Sequence, residues 1–163
     1  MSLTKPHPIW TTTRSNPYEV SKAIQQARLL SGRYRSKALV SNWNPQNREG
    51  YCLSTSCNQV KETVEHILLE CQAYNEQKSK MYSLWLSTKN PVVYQLVLEA
   101  LSSDKSYLLQ FLLDCSVLPP VIRATQTRVG RQTILNELFY LTRTWCFSIH
   151  KKRMKILGRW NFG

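Results

Sequence analysis

The residues with the most evident chemistry lie in the stretch YCLSTSCNQVKETVEHILLEC, residues 51–71, which holds three of the five cysteines and one of the three histidines. Four residues separate Cys52 from Cys57, eight separate Cys57 from His66, and four separate His66 from Cys71. Three thiolates and one imidazole within one local loop are the ligand set of a structural Zn²⁺ site. Cysteines often fill cores, and a single histidine is ordinarily a satisfied interior or surface residue. Clustering argues against that here. Cys115 and Cys146 lie in apolar helical stretches and suit a core, whereas Cys52 and Cys57 lie in polar, turn-rich sequence where an apolar thiol gains little. Four protein ligands complete a tetrahedron and leave no open position, which points to structure rather than catalysis. His150 has no visible partner, and no nucleophile and base are paired elsewhere, so no catalytic residue is assigned and the chain is read as a non-enzyme.

Those ligands must be carried by local elements. The polar run NPQNREG from Asn44 delivers the chain to Cys52 as a turn. Thr63 or its neighbours can open a helix carrying Val64, Ile67 and Leu68, with His66 displayed on it. Residues five apart, such as His66 and Cys71, lie about 140° apart around a regular helix. The helix is therefore expected to loosen or end near Glu70, letting Cys71 turn back toward Cys52 and Cys57.

Around this loop the apolar residues recur at helical spacing. Asn16-Pro17 reads as an N-cap and first helical position, and YEVSKAIQQARLLS then places Val20, Ile24, Ala27 and Leu30 or Leu29 on one face, with Gly32 as the stop. A short helix YRSKALVSNW is expected to about Trp43. NEQKSKMYSLWLSTK, VVYQLVLEALSS and SYLLQFLLDCSVL read as core helices, with Pro91 and Pro119-Pro120 as breaks. The last segment aligns Ile134, Leu138, Leu141, Trp145 and Ile149 in one stripe of a long amphipathic helix ending before Gly158. With 163 residues, 42% hydrophobic content and only 5 glycines, the chain can bury a core. The expected class is all-α, mostly helical with a small N-terminal zinc-knuckle lobe. Its expected divisions are a flexible arm over 1–15, a basic helical flank plus the Cys-Cys-His-Cys knuckle over 16–75, and a helical domain over 76–163 ending in a basic amphipathic helix. The opening residues lack the pattern of a secretory signal, and the apolar run at 107–118 is too short to span a bilayer, so no membrane association is expected.

The runs RLLSGRYRSKALVSNW, REGYCLSTSC and ETVEHILLEC carry a resemblance. Together they are similar to the C-terminal cysteine-rich region of non-LTR (LINE-type) retrotransposon proteins, where a Cys-Cys-His-Cys cluster follows the reverse transcriptase domain. The most specific phrase is Glu62, Thr63, His66, Leu68 and Cys71, and Arg28-Leu29 with Ser31-Gly32 resembles the phrase that precedes the cluster. The likeness runs from about 26 to 85. The gap between Cys52 and Cys57 is wider than in many relatives. The resemblance implies a module that binds the element's RNA or target DNA, working beside a reverse transcriptase domain in the nucleus or a cytoplasmic ribonucleoprotein. It does not imply polymerase activity, because only Asp104 and Asp114 are present and neither sits on the hairpin such an enzyme needs. The chain then reads as a tail fragment, or as a remnant of a truncated element copy.

Charge fits a polyanion partner. The net charge is +12. Nine basic residues against one acid from Pro120 onward supply two thirds of it. The knuckle itself, with Lys61 against Glu62, Glu65 and Glu70, repels phosphate. RNA or DNA is therefore expected on the flank Arg28, Arg33, Arg35 and Lys37 and on Lys151, Lys152, Arg153 and Lys155 of the last helix, with Tyr34, Trp43 and Tyr51 as candidates for base stacking. For the HKKRMK run, a solvated helix end weighs about equally with nucleic-acid binding, and such a short basic run is also a common nuclear-import signal. The rival reading is a helical interaction module that docks on a polymerase domain.

Overall fold

The computed structural model describes residues 5–13, 16–38, 50–52, 54–58 and 60–158. Its α-helices are α1 (Pro8–Thr11), α2 (Pro17–Leu30), α3 (Asn75–Leu86), α4 (Pro91–Ser102), α5 (Lys105–Leu113), α6 (Pro120–Thr125) and α7 (Arg128–Ile156). Among the described residues there is no β-strand, only an isolated antiparallel bridge between Tyr51 and Lys61. The chain is mostly helical, as expected. No helix among the described residues is long and apolar enough to cross a membrane.

Helix starts follow from local chemistry. The Asn16 side chain accepts from the Tyr18 amide with Pro17 at the first helical position, and Asn90 does the same for Val92 ahead of Pro91. Asp104 and Thr127 cap α5 and α7. Gly32, at φ +71°, closes α2 with the Arg33 amide on the Arg28 carbonyl and its own amide on Leu29, the paired bonds of a left-handed C-terminal stop.

Helix α7, roughly 43 Å long by its rise per residue, is the axis on which α2, α3, α4 and α5 pack. Its predicted stripe is the observed one: Ile134, Leu138, Leu141, Trp145 and Ile149 are all buried. Trp145 meets Trp85 of α3 with ring centroids 4.8 Å apart. Each indole N–H finds a carbonyl, Trp85 on Leu141 and Trp145 on Leu68, which satisfies the polar edge that burial would otherwise penalise. Cys115 and Cys146 are core thiols, which burial pushes up to about 12.

Three expectations need correction or bounds. The arm is anchored at α1: Ile9 is buried, and Arg143 of α7 donates to the Ile9 and Thr12 carbonyls and to Thr13 Oγ1. A cation on the carbonyl end of a helix is favoured by its dipole, and the polar composition of residues 1–15 hid a single apolar anchor. Helix α2 is rotated from the predicted face. It buries Lys22, Ala23, Gln26 and Leu29 and leaves Val20, Ile24 and Leu30 more than a third exposed. The reason is polar: the Gln26 amide donates to the Leu112 carbonyl and to Thr142, and Lys22 pairs with Glu19 over the Tyr18 ring. The helix expected to reach Trp43 lies outside the described residues beyond Ala38.

Candidate metal centre and basic surface

Three local devices bring the four predicted ligands together. A tight pairing, with the Cys52 amide on the Val60 carbonyl and the Glu62 amide on Gly50, presents Cys52. A single 3₁₀ turn, Thr55–Cys57, presents Cys57 and ends at Asn58 with φ 47°. His66–Glu70 forms a π-helical turn in which the Cys71 amide donates to the His66 carbonyl at 2.7 Å. This i to i+5 bond solves the spacing problem, because a wider turn returns the fifth residue toward the first. The Thr63 hydroxyl caps the turn by accepting from the His66 amide. Its free carbonyls are also satisfied: Leu68 by the Trp145 indole and Leu69 by the Lys78 ammonium.

The outcome is a cluster in which one ligand atom from each of Cys52, Cys57, His66 and Cys71 lies within 4.8 Å of every other. Cys71 Sγ stands 3.6 Å from Cys52 Sγ and 3.8 Å from Cys57 Sγ. A disulfide would need about 2.0 Å, whereas sulfurs on a tetrahedron with Zn–S bonds of about 2.3 Å sit about 3.8 Å apart. His66 is buried, and neither ring nitrogen has a hydrogen-bond partner. Buried polar atoms are rarely left so. The residues therefore fit a metal ion on both counts.

Electrostatics agree with that reading. Burial raises the Cys52 thiol and pushes Cys71 up to about 12, so without a cation the cluster disfavours three thiolates. Burial also acts to raise Cys57, but the Gln72 amide and the neighbouring Cys71, Ser54 and Cys52 outweigh it and leave it lowered. Lys78 is buried beside the cluster. Burial lowers its pKa, while Cys71 and Cys57 act to raise it. Sequence reading missed Lys78, which nothing in its helical context marks.

The basic residues divide into two groups. Arg28, Arg33, Arg35, Lys151 and Lys155 are exposed, and Lys37 and Lys152 are half-buried. Arg153 departs from expectation. Its side chain is buried and forms a forked pair with Glu62, at 2.6 Å to Oε1 and 3.3 Å to Oε2, while donating to the Arg35 carbonyl. It is a structural cation rather than a surface one, because the turn of α7 that bears it faces Glu62. Glu62 Oε1 also accepts from the Lys37 amide. Tyr34 is buried, with its hydroxyl 2.8 Å from His150 Nδ1, so it is not a stacking platform; Tyr51 is exposed. Trp43 lies outside the described residues. These contacts bring the 28–37 flank against the end of α7, two basic segments far apart in sequence. His150 registers the result: burial, Arg153 and Arg28 lower its pKa to about 4.

A cleft of about 270 Å³ opens between the Cys/His cluster and the end of α7, lined by Cys52, Ser54, Glu62, Tyr74, Ile156 and Leu157, among others. Comparison with family models, with curated proteins and with solved structures gives no match.

Proposed function

We propose that this chain is a zinc-stabilised, non-catalytic module that binds RNA or DNA through phosphate contacts. This is the role implied by its resemblance to the cysteine-rich tail of LINE-type reverse transcriptase proteins. Cys52, Cys57, His66 and Cys71 would hold the ion, which supplies cross-linking of a lobe too small to be stable alone. The carrying observation is that the 28–37 flank, with exposed Arg28, Arg33 and Arg35, is held against the end of α7, which bears exposed Lys151 and Lys155, through the Tyr34–His150 and Arg35–Arg153 contacts. No catalytic role is assigned: His66 belongs to the cluster, His150 is bound to Tyr34, and His7 is bound to Asp114.

The test is fluorescence anisotropy of single-stranded RNA and duplex DNA across a salt series. If those five cations each neutralise a phosphate, log affinity falls against log salt with a slope of about −3.5 for single strands. A flat salt dependence, or no binding at low salt, would reject the reading. A location in the nucleus or in a cytoplasmic ribonucleoprotein follows from it.

A second reading, docking on the reverse transcriptase domain of the same element, is favoured by one observation. Val117, Val121 and Val129, within and on either side of α6, are 81%, 70% and 77% exposed, and exposed apolar side chains gathered in one patch mark interaction surfaces. Co-purification of a polymerase domain that Val121→Asp abolishes, while nucleic-acid binding persists, would mark that surface as the docking site.

A further inference from the structure

The Glu62–Arg153 pair joins three things that the proposed function keeps separate. Glu62 lies in the segment paired with the one that carries Cys52, its amide on the Gly50 carbonyl, and it precedes Thr63, the cap of the turn that carries His66. Its carboxylate accepts from the Lys37 amide at 2.8 Å, and its carbonyl accepts from the Ala38 amide. Arg153, from the last turns of α7, grips the same carboxylate and reaches the Arg35 carbonyl at 3.1 Å, with its guanidinium 5.5 Å from the centre of the Tyr34 ring. Both side chains are almost wholly buried, at 3% and 4% exposure. A buried ion pair is a poor source of stability, since desolvation consumes most of the attraction, and apolar residues of like size often serve as well. Its forked geometry is a good source of register, because only one placement of the two segments satisfies both oxygens.

We infer that Glu62 is a positioning residue that couples metal occupancy to the nucleic-acid surface. An ion on the cluster fixes the 50–71 loop, and the loop presents Glu62. Glu62 then holds the 33–38 flank against the end of α7 and so fixes exposed Arg28, Arg33 and Arg35 relative to exposed Lys151 and Lys155. Linkage makes the coupling reciprocal: nucleic acid tightens metal by the factor by which metal tightens nucleic acid. The inference rests on the function proposed above and adds the regulation of its binding surface.

The experiment measures zinc affinity of the full chain by competition with a chromogenic chelator, with and without saturating single-stranded RNA of mixed sequence. It then repeats the measurement on the paired variant Glu62→Met with Arg153→Met. In the native chain RNA is expected to tighten zinc about fivefold or more, at the lower end of ordinary coupling factors. The paired variant should take up zinc and bind RNA, with a factor near one. A native factor within about twofold of one, with both ligands bound, would overturn the inference and leave the proposed function standing. An undiminished factor in the paired variant would also overturn it, because the coupling would then run through general folding of the lobe. Absence of zinc binding, or of binding to both RNA and duplex DNA, in the native chain would remove the function, and the inference with it; a chain that binds only duplex DNA is measured with that duplex in place of RNA. Arg153→Lys keeps the charge but not the fork. If the paired variant does not fold, this variant is expected to lower the factor while helicity and zinc content stay native, and an unchanged factor there would count against Glu62.

Discussion

His66 is a buried imidazole with two unpartnered nitrogens, at a cost of about 1–3 kcal/mol for each such atom. A metal ligand bond would remove that cost for one of the two nitrogens, and the Cys71 sulfur already stands at tetrahedral separation from those of Cys52 and Cys57. All four members of the cluster were legible in the sequence because a Cys/His cluster depends on residue type and local spacing. Arg153 was not, because a basic run looks the same whether its members face water or a carboxylate. The two kinds of cation separate under mutation. Lys155→Gln should weaken RNA binding and lower the salt slope by about 0.7 with thermal stability unchanged, measured by anisotropy and calorimetry. Arg153→Ala should instead cost about 3–5 kcal/mol of stability by stranding Glu62. His150 adds a pH dependence. Its pKa falls to about 4 in the fold, so the folded state keeps it neutral while the unfolded chain protonates it near its ordinary value of about 6.5. Stability is full above about 6.5 and declines as pH drops toward about 4. Urea midpoints across that window should show a shallower fall in His150→Gln than in the native chain.

At the scale of elements, the π-turn of His66–Glu70 was legible as a problem rather than as a solution. Spacing of five said that a regular helix could not serve, and the i to i+5 bond is the answer the backbone takes. Helix α2 was misread for the opposite reason: apolar periodicity marks a stripe, but the buried hydrogen bonds of Gln26 decide which side faces α7. The stretch that became α1 carries a single deep anchor, so no period announces it. Ile9→Ala should cost about 2–5 kcal/mol, and Arg143→Ala about 1–3 kcal/mol by leaving the α1 carbonyls unpaired. In both variants limited proteolysis should cut within residues 5–13 faster than in the native chain. Equal cutting rates would show that α1 is not held by these contacts.

For the whole molecule, the long helix α7 joins the core to the segment that bears the Cys/His cluster. Its middle buries Trp145 against Trp85, and its end meets Glu62 and the basic flank. The helical class and the stripe of α7 followed from composition and period, because a central helix must bury a continuous face. Which basic segments meet did not follow, since Arg35 and Arg153 come together only after the chain has folded. Everything proposed about that surface depends on an ion at Cys52, Cys57, His66 and Cys71. The direct measurement is zinc content and helicity of the chain, purified without a metal-affinity tag, before and after chelation, with Cys57→Ser as the control. One zinc per chain, with helicity and thermal stability lost on chelation and zinc lost in Cys57→Ser, is the predicted result. A chain free of zinc, or one whose fold is indifferent to the chelator, would contradict it.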